Sequence, residues 1–230
     1  MKNKKSIALF DIDKTIYNDH SFFAAAKFLI NKGILSSDTW TKIETELGKY
    51  TQKIQTYSFT ANNLLNIFVE ALAGKAYDEV MVATKEFFDQ NQNNFYPYFK
   101  NILPTLRQTH EIYLVTTNSQ NVAEVVKNGF GLDGYLCTNF EVVGGIFTGK
   151  VLNSLADGKH VVEELVAKYD GNTMAFGDSE NDIGMLEKVK TPVCINPSPE
   201  LLAHAQKNNW LVVSDSTAET EVLKIISKLS

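Results

Sequence analysis

The sequence is poor in arginine. Arg107 is the single one among 22 basic residues, and the formal net charge is −5. Nucleic-acid-binding surfaces are usually clustered basic stripes, so a nucleic-acid partner is excluded as an expectation. Lys2, Lys4 and Lys5 make a short basic start that reads as a solvated terminus. Cysteine is scarce too. Cys137 and Cys194 form neither a C-x-x-C pair nor a metal-ligand spacing, and both lie in apolar, strand-like stretches. They are expected to be buried thiols of a reduced protein. No apolar run reaches the roughly 20 residues that span a bilayer, so no membrane partner is expected. The N-terminus passes straight into a strand-like run without a signal-peptide core and cleavage site, and a cytoplasmic location follows by default. No internal repeat or long low-complexity segment is visible.

What is present is ordinary for a globular protein: 230 residues, 44% hydrophobic, 21% charged and 11% aromatic. That length allows one large domain, or a core domain carrying a smaller one, with a sizeable core that needs no staples. Ser6-Ile7-Ala8-Leu9-Phe10 is a short apolar run without alternation, which predicts a strand buried on both faces. Similar runs recur at 112–115, 173–176, 193–195 and 210–213. Helix-like segments lie among them at 122–128, 160–169, 183–189 and 199–208. Strands alternating with helices predict a doubly wound, parallel α/β sheet.

Between about Ser21 and Asn94 the pattern is helical throughout. Helices are expected at 21–32, closed by Gly33, at 61–73, closed by Gly74, and at 77–90, where Val80, Met81, Thr84, Phe87 and Phe88 recur at helical spacing. The polar run 90–94 links back to the α/β part. The predicted division is a core of residues 1–16 and 97–230 with an inserted all-helical domain at 17–96. Val142 to Val151, with its Gly144-Gly145 pair, predicts a structural hairpin.

The acidic residues mark a crevice. Asp11-Ile12-Asp13-Lys14-Thr15 follows the first buried strand directly. In parallel sheets, ligands bind outside the carboxyl ends of the strands. Two carboxylates placed there can share a hard cation such as Mg²⁺; the competing reading is a solvated acidic turn. Gly177-Asp178-Ser179-Glu180-Asn181-Asp182 follows a second buried strand. Asp178 suits the same cation, with Asp182 as a ligand or as support for one, although Asn181 or Asp182 could equally cap the next helix. Val115-Thr116-Thr117-Asn118 supplies a hydroxyl and backbone N–H groups suited to an anion. Lys159, after Asp157-Gly158, supplies a point charge suited to a phosphoryl oxygen.

These four elements, in this order, resemble the motifs of the haloacid dehalogenase superfamily in its phosphatase branch. The helical insert is similar to the cap of the phosphoserine-phosphatase-like subgroup, and the resemblance spans essentially the whole chain. It implies Asp11 as nucleophile, Asp13 as general acid and then base, and Thr15 as a loop support. It implies Thr116, Thr117, Lys159 and Asn181 as phosphate- or substrate-binding groups. Mg²⁺ is implied on Asp11, Asp178 and the Asp13 carbonyl, with Asp182 completing the acidic cluster. The implied reaction is Mg²⁺-dependent hydrolysis of a phosphate monoester of a small metabolite, by a monomer or homodimer. A phosphotransferase using the same aspartate, or a binding protein on the same fold, are the alternatives. Where phosphoserine phosphatases carry a flap glutamate, this chain has His20, with Asp19 beside it, and the insert holds no arginine. A carboxylate is best gripped by an arginine fork, so a substrate other than phosphoserine is expected, unless Lys49 or Lys53 substitutes. His20 is a candidate substrate contact. Phe22, Phe23, Tyr50, Tyr57 and Phe59 are candidates to line the pocket.

Overall fold

The computed structural model describes residues 6–155 and 159–229, with the side chains of 57, 58, 160 and 229 left aside. The basic start, the Asp157-Gly158 step and the Tyr57 side chain read above lie outside the described residues.

Seven strands form one sheet in the order β4-β3-β2-β1-β5-β6-β7. They are β1 (Ser6–Phe10), β2 (His110–Ser119), β3 (Gly134–Val143), β4 (Ile146–Asn153), β5 (Thr173–Gly177), β6 (Thr191–Ile195) and β7 (Leu211–Val213). All neighbours are parallel except β3 and β4. β1 is central, with Leu9 opposite both Tyr113 of β2 and Ala175 of β5. Every residue of β1 and of β5 is buried. The side chains of β1 divide by parity. Ala8 and Phe10 join a core with Phe176 and Phe99, while Ile7 and Leu9 join a second core with Met185 and Leu201. The sheet is therefore covered on both faces, and this is why β1 shows no polar alternation. Phe10 stacks on Phe176 with ring centroids 4.1 Å apart. Each such buried side chain contributes roughly 1.5–3 kcal/mol.

The segment inserted after β1 is helical: α1 (Ser21–Asn31), α2 (Ser37–Thr51), α3 (Tyr57–Leu72) and α4 (Tyr77–Gln90). Ser36 caps α2 by accepting from the Asp38 N–H, and Thr56 caps α3 by accepting from the Phe59 N–H. The helices bury their own apolar cluster, which includes Leu29, Ile43, Phe68 and Leu72 and is completed by Phe140 and Phe147 of the β3–β4 hairpin. Gly144 and Gly145, both at positive φ (60° and 79°), close that hairpin. Consecutive positive φ values match a tight hairpin turn that twists with its strands. The chain leaves and re-enters the α/β part side by side. Tyr17 bridges Phe95, the Asn18 N–H donates to the Asn94 carbonyl at 2.8 Å, and the Tyr96 N–H donates to the Ile16 carbonyl at 2.9 Å.

The remaining helices are α5 (Pro97–Leu106), α6 (Gln120–Phe130), α7 (Glu163–Val166), α8 (Ile183–Leu186), α9 (Pro199–Asn208) and α10 (Asp215–Leu229). Two expected helices are shorter than their patterns suggested. Over 160–169 a 3₁₀ turn (His160–Val162) leads into α7, after which the chain tightens into i→i+3 bonds and the Tyr169 hydroxyl is held by Glu111 of β2 at 2.5 Å. Over 183–189, α8 ends at Leu186, where the Lys188 N–H turns back to the Met185 carbonyl before β6 starts. Both segments must hand the chain back to the sheet at once, which outweighs their helical periodicity. Cys137 and Cys194 are buried free thiols, and burial pushes each up to about 12. Among the described residues, no helix is long and apolar enough to cross a membrane.

Candidate active site

The carboxyl ends of β1, β2 and β5 meet at one end of the sheet, and each of the sequence elements singled out above arrives there. Asp11 is the first residue after β1, and its N–H donates to the Phe176 carbonyl at 3.0 Å. The loop that follows is tightly wound. Lys14 takes a left-handed φ of 59°, and its N–H donates to the Tyr17 carbonyl at 2.7 Å. The buried Tyr98 hydroxyl donates to the Thr15 carbonyl at 2.6 Å. This fixes the two carboxylates of the loop in different surroundings.

Asp11 is 6% exposed and accepts from the ammonium of Lys159, which is itself fully buried. The same ammonium donates to Asp182 Oδ1 at 2.7 Å. The other oxygen of Asp182 accepts the backbone N–H groups of Asp178 at 2.9 Å and Ser179 at 3.1 Å. Both oxygens of Asp182 are therefore engaged within the protein, as a helix-capping residue and as a counter-charge. Gly177 leaves the room this requires, because a Cβ there would lie 2.4 Å from the Asp182 Cβ. Asp178 sits alongside, with the Thr15 hydroxyl 3.4 Å from its Oδ1.

Asp13, two residues on, turns toward the helical segment. Its Oδ1 accepts from both the N–H (3.0 Å) and the hydroxyl of Ser21, at the start of α1, and its Oδ2 accepts from Asn118 Nδ2 at 3.3 Å. Asn118 Nδ2 also reaches the Ser21 hydroxyl at 3.1 Å, and Asn118 Oδ1 is buried with no partner among the described residues. Neither Ser21 nor the Asn118 side chain had been given a role by the sequence. Asn118 lies in the strand-exit stretch already singled out, but Ser21 looked like an ordinary first residue of a helix.

The electrostatics separate the groups. Burial, outweighing the attraction of Lys159 and aided by Asp182 and Asp13, raises Asp11 to about 7. Burial, with Asp182 and Asp11 adding repulsion, raises Asp178 to about 9. Burial also raises Asp13, against the bonds from Ser21 and Asn118. For Lys159, burial pulls its value down, yet Asp11 and Asp182 prevail and the ammonium is held more firmly than usual. Oxygens of Asp11, Asp178 and Asp182 lie within 4.8 Å of one another. An all-oxygen, acidic and desolvated donor set of this kind fits a hard divalent cation. Both oxygens of Asp182 already accept bonds within the protein, so Asp11 and Asp178 are the more open of the three to a cation, with Asp182 completing the acidic cluster.

A cavity of about 230 Å³ opens over these groups. Thr116, Thr117, Glu180 and Asn181 line it on the sheet side, and His20, Phe22, Phe23, Ala61, Leu64 and Leu65 on the helical side. Thr116 is buried, and its oxygen accepts the Asn118 N–H at 3.1 Å, which leaves its hydroxyl proton available. His20 is exposed at the cavity mouth. Of the candidate aromatics, Phe22 and Phe23 line the cavity. Tyr50 and Phe59 stand elsewhere, 43% and 58% exposed. Lys49 and Lys53 do not line it either, and Lys49 is paired with Glu46 at 2.5 Å.

The profile of the haloacid dehalogenase-like hydrolases matches residues 8–187, and a second profile of the same description matches 156–226. Histidinol-phosphatase of Neisseria meningitidis serogroup C is 26% identical over 226 residues, covering 91% of this chain and 99% of that protein. Among solved structures, a Bordetella pertussis protein of unknown function superposes with a TM-score of 0.76 at 22% identity, covering 92% of this chain and 99% of its own. A phosphoserine phosphatase solved as a phospho-aspartyl intermediate analogue superposes with a TM-score of 0.60 at 18% identity, covering 96% and 99%. At these identities the two structures establish the shared fold. The chain belongs to the haloacid dehalogenase-like hydrolases. Within them it is a phosphatase, and it is similar to phosphoserine phosphatases in fold.

Proposed function

We propose that this chain hydrolyses the phosphate monoester of a small metabolite through a phospho-aspartate at Asp11, with Mg²⁺ as cofactor. The observation that carries the reading is the contrast between two carboxylates in one loop. Asp11 is held by a buried ammonium, whereas Asp13 is held by a hydroxyl, an amide and a backbone N–H, with no cation. Carboxylates kept in such different surroundings take different roles. Asp11 attacks phosphorus in line while the bond to the leaving oxygen breaks, and Asp13 gives that oxygen a proton. Water then attacks the phospho-aspartate and gives its proton to Asp13, which restores the starting state and frees phosphate.

Thr116, with the backbone of Thr117, holds the phosphoryl oxygens, and Asn181 positions the substrate. Lys159 keeps Asp11 oriented and neutralises charge on the transferring group. Asp11, Asp178 and the Asp13 carbonyl would hold Mg²⁺, which would supply the positive charge that lets a carboxylate approach a dianionic phosphate. Residues 17–96 act as the cap that closes over the leaving group, and His20 meets substrate at its edge. The Neisseria relative, matched along its whole length and named for histidinol phosphate, supports a small phosphorylated metabolite.

The test is phosphate release from a broad panel of phosphorylated metabolites, with and without Mg²⁺, comparing wild type with Asp11→Asn. Mg²⁺-dependent release that disappears in the variant is expected. Release that persists in Asp11→Asn would overturn the phospho-aspartate mechanism.

A further inference from the structure

The cavity is built from two unlike walls. The sheet-side wall carries the chemistry. The opposite wall, where the organic part of a phosphate ester must lie, is formed by Phe22 and Phe23 of α1 and Leu64 and Leu65 of α3, with His20 at the mouth. The aromatic part is ordered: Phe22 packs edge-on against Phe23 at 5.2 Å and against Phe68 at 5.1 Å. Among the described residues lining the cavity, Lys159 and His20 are the only basic side chains, and Lys159 is paired with Asp11 and Asp182 at the catalytic end. Against them stand the carboxylates of Asp11, Asp13, Asp178 and Glu180. Glu180 lines the same cavity from the sheet side, and its Oε2 accepts from the Ser198 hydroxyl at 3.2 Å.

A carboxylate on the leaving group would enter this subsite without an arginine or lysine to receive it. It would shed its water against phenylalanine and leucine and face like charge from the carboxylates that line the cavity. Burying an unpaired charge is costly, and one near a like charge more so. An apolar or ring-bearing body gains from the same wall, and an attached ammonium is attracted by the acidic lining of the cavity and by the aromatic faces. We infer that the substrate class is phosphate esters of alcohols that carry an apolar or aromatic body, neutral or cationic, and no carboxylate. This inference rests on the phosphatase reading above, and adds that the α1–α3 wall selects against anionic leaving groups.

Matched ester pairs that differ only by a carboxylate test it: O-phosphotyramine against O-phosphotyrosine, and O-phosphoethanolamine against O-phosphoserine. The carboxylate-free member of each pair is expected to show kcat/KM higher by about tenfold or more. The same order is expected for the Kd values of the tyramine and tyrosine esters with the Asp11→Asn chain. Phe23→Arg places a cation on the half-buried part of the wall and is expected to narrow both ratios. Hydrolysis of the carboxylated esters with kcat/KM equal to or above their partners would overturn the selectivity while leaving the phosphatase reading intact. No release from any of the four, with folded protein and Mg²⁺ present, would overturn both. The wild-type comparison decides the matter even if Phe23→Arg does not fold.

Discussion

The ammonium of Lys159 lies 2.7 Å from Asp182 Oδ1 and at the same time contacts Asp11, so one buried cation ties the exit of β1 to the exit of β5. Removing one partner of a buried ionic group leaves the others uncompensated, at a cost of about 3–5 kcal/mol. Lys159→Met is therefore expected to lower the unfolding free energy by that order in metal-free buffer. Mg²⁺ should restore part of the loss, because it supplies positive charge to the same carboxylates. The catalytic cost is expected to be at least ~100-fold in kcat. Chemical denaturation with and without Mg²⁺, together with steady-state kinetics, checks both.

Gly177 is the last residue of β5, and a methyl group there would meet Asp182 Cγ and Oδ2 at 2.6 Å. Gly177→Ala is expected to push Asp182 off Lys159 and off the Asp178 N–H. Overpacking of this kind costs about 1–3 kcal/mol. A displacement on the order of 1 Å in the catalytic groups can cost ~100-fold in rate. A melting curve and a kcat measurement on the variant would show the two losses together. Wild-type kcat in Gly177→Ala would mean that Asp182 does not need its observed position.

Mg²⁺ affinity should rise with pH. Without a cation, burial and mutual repulsion hold Asp11 near about 7 and Asp178 near about 9. Below those values protons occupy the oxygens that a cation needs. As pH rises through that window the protons leave, and binding strengthens by about tenfold per pH unit for each proton displaced. Calorimetric titration of Mg²⁺ between pH 6 and pH 9, in buffers of different ionisation enthalpy, reads both the affinity and the released protons. A flat profile would contradict the cluster as described.

The two bonds that Ser21 gives Asp13 favour its ionised form and oppose the upward push of burial. Ser21→Ala removes the hydroxyl bond and should raise Asp13 further. The proton that Asp13 donates in the first step is then retained to higher pH, so the basic limb of kcat/KM should move upward. A residue that served only to start α1 would lower stability and leave that limb in place.

These predictions draw on residues of unequal visibility in the sequence. The central strands were legible because double burial leaves them almost wholly apolar, as in Ile7 to Phe10 and Met174 to Phe176. β3 was not read as a strand of the sheet, since it pairs in parallel with β2 through one half and in antiparallel with β4 through the other. Its half-buried Tyr135, Leu136 and Asn139 follow neither a simple apolar run nor clean alternation. Helix lengths misled at α7 and α8, where tertiary contacts stop the chain after one turn. The acidic residues could be located because they cluster in the loops that leave two buried strands, and the structure brings Asp11, Asp13, Asp178 and Asp182 together with Lys159 and Thr116. The attachment of Asp13 to Ser21 and Asn118 could not be foreseen. It depends on where α1 lands over the sheet, a matter of packing and not of spacing.

The side-by-side crossing at Tyr17 and Phe95 has a consequence for engineering. The two ends of the helical insert emerge next to each other, so a foreign cap could be grafted there with little disturbance to the sheet. The obstacle lies elsewhere. Phe140 and Phe147 of the hairpin are buried only because the native helices cover them. A chimera that replaces the helices without supplying new apolar cover for those two rings would trade a change of specificity for a sticky, aggregation-prone face.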